Sequence, residues 1–93
     1  MRYSIVIEPG TETTAFGVVI PDLPGCFSAG DTLSEAKTNA QEAAVGWIET
    51  ELAARHAIPA PSAAQAIAAL PEYRGWLLDF VEVPDSLLSP MIH

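Results

Sequence analysis

Only four of the 93 residues are basic (Arg2, Lys37, Arg55 and Arg74), against twelve acidic ones, a formal net charge of −8. Binding to a phosphate backbone is driven by Lys and Arg displacing counterions. A chain this poor in cations, with the four scattered along it, has no basic patch with which to hold nucleic acid by itself. Its acidity keeps a small protein soluble and also suits encounter with a basic partner. Cysteine is nearly absent: Cys26 stands alone, which excludes an internal disulfide and fits a reducing compartment. With no base in view it reads as a small buried hydrophobe on a strand rather than a nucleophile. The two histidines, His56 and His93, lie outside any H-E-x-x-H or C-x-x-C spacing, so no zinc site is expected. Phosphate-cradling glycine patterns of the P-loop and dinucleotide-binding kinds are missing, and no cofactor is expected. No apolar run approaches the ~20 residues that span a bilayer. The N-terminus enters a strand pattern at once, with polar Arg2 and Ser4 and no apolar leader. The expectation is a protein that stays off membranes and works in the cytoplasm.

What is present is a dense run of local structural signals. Between Arg2 and Glu8, Tyr3, Ile5 and Ile7 alternate with Ser4, Val6 and Glu8, the period of a strand with one buried face. Pro9-Gly10 and four polar residues read as a loop, after which Phe16, Val18 and Ile20 alternate again. Pro21 stops that strand. Pro24-Gly25 supplies the fixed and the permissive φ that a type II turn wants at its two centres, and Cys26 to Ala29 resumes an extended run, so a hairpin is expected over 15–30. Thr32-Leu33-Ser34-Glu35 is a T-x-x-E capping box. From Leu33 to about Arg55, Ala36, Ala40, Ala43, Ala44, Trp47, Ile48 and Leu52 recur at steps of three and four. Lys37, Gln41, Glu42 and Glu49 fall largely on the opposite face. Gly46 interrupts this helix at a cost of about 1 kcal/mol relative to Ala, which a close helix–sheet crossing would explain. Pro59-Ala60-Pro61 is an extended spacer, and Ser62-Ala63-Ala64-Gln65 reads as a second capping box for a short helix that Pro71 ends. The closing run Trp76 to Val83 is apolar on both faces, as internal strands are. Folding at this length hides roughly 60–70% of the unfolded surface, so one domain is expected over residues 1–84, with 85–93 as a short tail carrying no DNA-binding module. The order β-β-β-α-α-β gives an α+β two-layer domain in which a helical crossover sets the last strand parallel to a neighbour.

The segment 15–44 resembles the N-terminal domain of the HicB antitoxin family. Phe16-Gly17-Val18, Pro21-Asp22-Leu23-Pro24-Gly25-Cys26, Ser28, Gly30-Asp31-Thr32, Glu35-Ala36, Asn39-Ala40 and Glu42-Ala43 carry the likeness. The first strand, the Pro59-x-Pro61-Ser62 connector and the Trp76 to Val83 strand fall where the family places them, so the resemblance spans roughly residues 1–85. It implies a partial ribonuclease-H-like layout: a mixed four-stranded sheet, the last strand beside the first, and one long helix on one face. It also implies the neutralising half of a toxin–antitoxin pair, in which the antitoxin covers the catalytic histidine and RNA-binding face of a small basic HicA-like toxin.

That layout invites a nuclease reading, with Asp22, Asp31, Glu35 and Asp79 as magnesium ligands. Each has a cheaper explanation: Asp22 forms a turn, Asp31 and Glu35 serve a helix start, and Asp79 is one charge in a strand. No enzymatic activity is expected. By resemblance the partner-binding surface is assigned to Pro21, Asp22, Leu23 and Asp31, with Trp76, Leu78 and Phe80 supporting the sheet or an interface. The doubly apolar last strand also points to a homodimer or higher homo-oligomer. The alternative function is a stand-alone HicB-like oligomer with no toxin.

Overall fold

The computed structural model describes residues 1–88. Its elements are β1 (Arg2–Glu8), β2 (Phe16–Val19), β3 (Phe27–Gly30), α1 (Leu33–Ala53), α2 (Ala64–Ala68), a 3₁₀ turn (Pro71–Tyr73), β4 (Leu77–Glu82) and α3 (Asp85–Leu88). The four strands form one sheet in the order β3-β2-β1-β4, with α1 packed on one face. The α+β layout holds, and the last strand does lie beside the first. The sheet, however, is antiparallel throughout rather than mixed: β4 pairs β1 from Arg2 opposite Glu82 to Ile7 opposite Leu77.

The reason lies in residues 54–76. Helix α1 carries the chain from one end of the sheet to the other, and a crossover ending there would deliver a parallel strand. Instead the connector turns under the sheet, where the Tyr3 hydroxyl donates to Pro59 O at 2.6 Å. The chain then returns across the face opposite α1. Val6 points to that face yet is buried, and it shares a cavity of about 340 Å³ with Ala68 to Pro71, Tyr73 to Trp76 and Leu78. Two traverses cancel, so β4 starts where α1 started and runs antiparallel to β1.

The core lies between the sheet and α1. Tyr3, Ile5, Ile7, Val18, Ile20, Leu23, Cys26, Val81 and Val83 meet Ala36, Ala40, Ala44 and Ile48. The alanines let α1 approach closely, closest at Gly30, where a Cβ would stand 2.7 Å from Ala36 Cα. Gly46 is not at that crossing; open space surrounds it. The helix begins at the expected T-x-x-E box, with Thr32 as N-cap and its Oγ1 accepting from Glu35 N at 3.1 Å, but Glu35 Oε1 reaches one residue past the N-cap and accepts from Asp31 N at 3.3 Å. It ends in a Schellman arrangement, His56 N to Glu51 O at 2.9 Å and Arg55 N to Leu52 O at 3.0 Å, which puts Arg55 at φ 60°. In the hairpin turn Gly25 takes φ 79°, as the type II reading requires.

Two further expectations fail. The box at Ser62 does not cap α2: its N-cap is Ala63, without a side-chain bond, because Ser62 is engaged elsewhere. And β4 is not internal but an edge strand, with Leu77, Leu78 and Phe80 each about two-fifths exposed. Its apolar character reflects surface left open, not burial on both sides. Of the tail assigned to 85–93, Asp85–Leu88 forms α3 and the remainder, His93 included, lies outside the described residues.

Candidate partner-binding surface

The residues assigned to a partner surface fall into three separate places. Pro21, Asp22 and Leu23 lie in the hairpin turn between β2 and β3. Leu23 is fully buried, its N–H donating to Ile20 O, and belongs to the core rather than to any contact surface. Asp22 is spent on the connector: Ser62 donates to it twice, from its backbone N to Oδ2 at 2.7 Å and from its hydroxyl to Oδ1 at 2.6 Å. This is the bond that diverts Ser62 from capping α2. Burial, and then the nearby Asp22 carboxylate, push the Tyr3 phenol above its ordinary pKa. Asp31 is exposed at the start of α1, at the opposite end of β3 from the turn. The turn and Asp31 therefore do not form one patch.

The third group does hold together. Strand alternation puts Leu78 and Phe80 on the sheet face away from α1, opposite Val6 and Ser4 of β1, while Leu77, Asp79 and Val81 face the helix side. Trp76 borders the same cavity as Val6 and Leu78 and packs against Tyr73, ring centroids 5.1 Å apart. The Arg2 guanidinium stands 5.3 Å from the centre of the Phe80 ring, and its Nε donates to Glu82 Oε1 at 2.8 Å. The result is an apolar strip from Trp76 to Phe80, locally neutral at its Arg2–Glu82 end.

The opposite side of the molecule is acidic. Glu35, Glu42 and Glu49 are exposed and lie seven residues apart, a spacing that drifts only ~20° per step around a helix. They form a line along α1 directly away from the buried Ala36, Ala40, Ala44 and Ile48. Lys37 and Gln41, grouped with these glutamates by periodicity, instead sit on a flank and reach β4. Lys37 Nζ lies 2.8 Å from Asp79 Oδ2, and the hydrogen bond from Lys37 holds the Asp79 carboxyl below the usual carboxylate range, with a second bond from Phe80 N–H assisting. Two of the four cations, Arg2 and Lys37, are thus already paired within the chain. Asp22, Asp31 and Asp79 are dispersed over both ends and an edge of the sheet, and among the described residues no three His, Cys, Asp or Glu side chains converge as a metal site would require. Cys26 is buried, and burial raises its thiol pKa, the reverse of an activated nucleophile.

Sequence reasoning missed the Asp22–Ser62 tie and the exposed Phe27 and Leu77. No local pattern encodes the first, since its partners are 40 residues apart. The second follows from strand order, which only the folded sheet reveals.

Residues 3–92 match the family model of the HicB-like antitoxin of bacterial toxin–antitoxin systems. The chain belongs to that family. It is 33% identical over 92 residues to Antitoxin HicB 2 of Photorhabdus laumondii, covering 99% of this chain and 56% of that protein. An uncharacterized 14.9 kDa protein of Haemophilus phage HP1 is 41% identical over 83 residues, 89% of this chain and 61% of its own length. This HicB-like chain therefore spans under two thirds of those curated relatives. The crystal structure of the Burkholderia pseudomallei antitoxin HicB superposes with a TM-score of 0.86 at 31% identity, over all of this chain and 70% of that one. A chain of the HicA3 and HicB3 toxin–antitoxin complex gives 0.73 at 31% identity, over 90% of this chain and 99% of that one. The HicB-like fold is thus matched in a protein whose structure includes a HicA toxin. No helix of the described residues is long and apolar enough to cross a membrane.

Proposed function

We propose that this HicB-like chain is an antitoxin that binds a small basic HicA-type toxin and occludes its RNA-contacting face. Family membership, together with a structural relative seen in complex with HicA3, carries the reading. Charge supports it: the chain is −8 overall, and the exposed line of Glu35, Glu42 and Glu49 along α1 offers a basic partner an acidic face. The role is stoichiometric binding in the cytoplasm rather than catalysis. Asp22 is held by Ser62 and Asp79 by Lys37, leaving these carboxylates with structural tasks. Isolated from the toxin, the chain does not bind operator DNA.

A second contact, between copies of the chain, is favoured by the exposed Leu78 and Phe80. The strip they lie on is apolar and, through the Arg2–Glu82 pair, locally neutral, so two acidic molecules meet there without stacking like charges. The proposal is tested by producing the basic protein encoded beside this gene with and without the chain. Arrest of growth by the first protein alone and relief on co-expression is the expected result. Absence of any such neighbour, or undiminished arrest, favours the stand-alone oligomer instead.

A further inference from the structure

The sheet is open on both sides, with β3 and β4 as its edges. An open edge presents unpaired N–H and C=O groups to which another chain can add a strand. In an antiparallel ladder alternate residues turn these groups away from the neighbour. On β4 the outward positions are Leu78, Phe80 and Glu82, because Val83 beyond them bonds back to Met1 through both its N–H and its C=O. Two of these three positions, Phe80 and Glu82, carry bonds from side chains. The Glu82 N–H donates to Gln41 Oε1 at 2.8 Å, and its C=O accepts from Gln41 Nε2. The Phe80 N–H donates to Asp79 Oδ1 at 2.8 Å, a carboxylate fixed in turn by Lys37. On the other edge, Asn39 Nδ2 donates to Ala29 O of β3 at 2.8 Å.

Asn39 and Gln41 are two residues apart, and at 3.6 residues per turn they leave α1 on opposite flanks. One helix therefore touches both edges of the sheet through side-chain amides. A side-chain amide carries N–H donors and a C=O acceptor on one planar group, the same pair of functions that a peptide group presents. Gln41 uses both on a single residue of β4, in the place where the next strand would run. Water would satisfy the same exposed groups, so the amides are not needed for burial. What they add is occupation of the ladder.

We propose that Asn39 at the β3 edge and Gln41 at the β4 edge are edge guards, obstructing strand addition by a second copy of this chain. Contacts between copies are thereby confined to the outer face of the sheet. The proposal is independent of whether the chain neutralises a toxin.

Sedimentation velocity from micromolar to millimolar concentration tests it on the intact chain, with Gln41→Ala, Gln41→Glu and Asn39→Ala beside the unaltered protein. Gln41→Glu keeps the size and loses the donor. Gln41→Ala is expected to associate beyond the unaltered state with an apparent affinity about tenfold higher, the equivalent of roughly one net ladder bond. Gln41→Glu and Asn39→Ala should move the same way by less. Amide hydrogen exchange gives a second readout: in the unaltered chain Glu82 should exchange slowly despite sitting on an edge, and Gln41→Ala should release it while Val81, paired to Tyr3, stays protected. Folded variants that associate no more than the unaltered chain, or a Glu82 amide that already exchanges freely in it, would overturn the proposal.

Discussion

Replacing Gly46 by alanine should make this protein more stable, and replacing Gly30 by alanine should make it less so. Gly46 lies inside α1, where glycine costs about 1 kcal/mol relative to alanine. A Cβ built there meets nothing within 4 Å, so the gain in helix propensity has no packing penalty to offset it. In a domain of this size about 1 kcal/mol moves Tm by roughly 4–8 °C. Gly30 is the reverse case. Its Cβ would fall 2.7 Å from Ala36 Cα and 2.8 Å from Glu35 C. Those are backbone atoms of α1 that cannot swing aside, so the helix must lift off β3, at a cost of about 1–3 kcal/mol or more. Thermal unfolding followed by circular dichroism reads both. A lower Tm for Gly46→Ala would mean that the outer face of α1 is occupied in solution. An unchanged Tm for Gly30→Ala would mean that α1 does not approach β3 as described.

Three more outcomes follow from the side-chain arrangement. Asp22→Ala removes both bonds to Ser62 and should cost about 1–2 kcal/mol in urea unfolding, with faster proteolysis in the 54–63 connector. Asp79 has a folded pKa below its unfolded value of ~3.9, so its pairing with Lys37 stabilises at neutral pH and is lost as pH falls through the depressed value. Asp79→Asn should therefore flatten the loss of stability below pH ~4 while costing less than about 1 kcal/mol at pH 7, the pair being partly exposed. The Cys26 thiol, buried and raised in pKa, should react with a thiol reagent far more slowly in the native protein than in denaturant; equal rates would contradict its burial.

The parts of this fold that were legible in the sequence are those written in short-range chemistry. Thr32 and Glu35 announce the start of α1, Pro24-Gly25 the hairpin turn, and alternation from Tyr3 to Ile7 the buried face of β1. The direction of β4 was not legible, because it depends on whether the 54–76 connection crosses the molecule once or twice, and no local pattern records that. The same ambiguity misplaced β4 in the interior: an apolar run reads alike whether the sheet covers it or leaves it open. At the candidate surface, Leu78 and Phe80 were recognisable as unusual apolar residues. The loss of Leu23 to the core and of Asp22 to Ser62 was not, since a turn motif shows which residues bend the chain but not which neighbour they meet. Gln41 was hidden for a related reason. Periodicity separates the buried face of a helix from the rest, but it does not distinguish solvent from a flank that reaches a sheet edge.

Titration of the chain into RNA cleavage by a purified HicA-like toxin tests the antitoxin reading most directly. Cleavage should fall to the background level as the chain approaches equivalence with the toxin. Because attraction between opposite charges is screened within about 3 Å at 1 M salt and about 10 Å at 0.1 M, inhibition should also set in more slowly as salt is raised. Cleavage that continues undiminished with the folded chain in large excess at low salt would contradict the account.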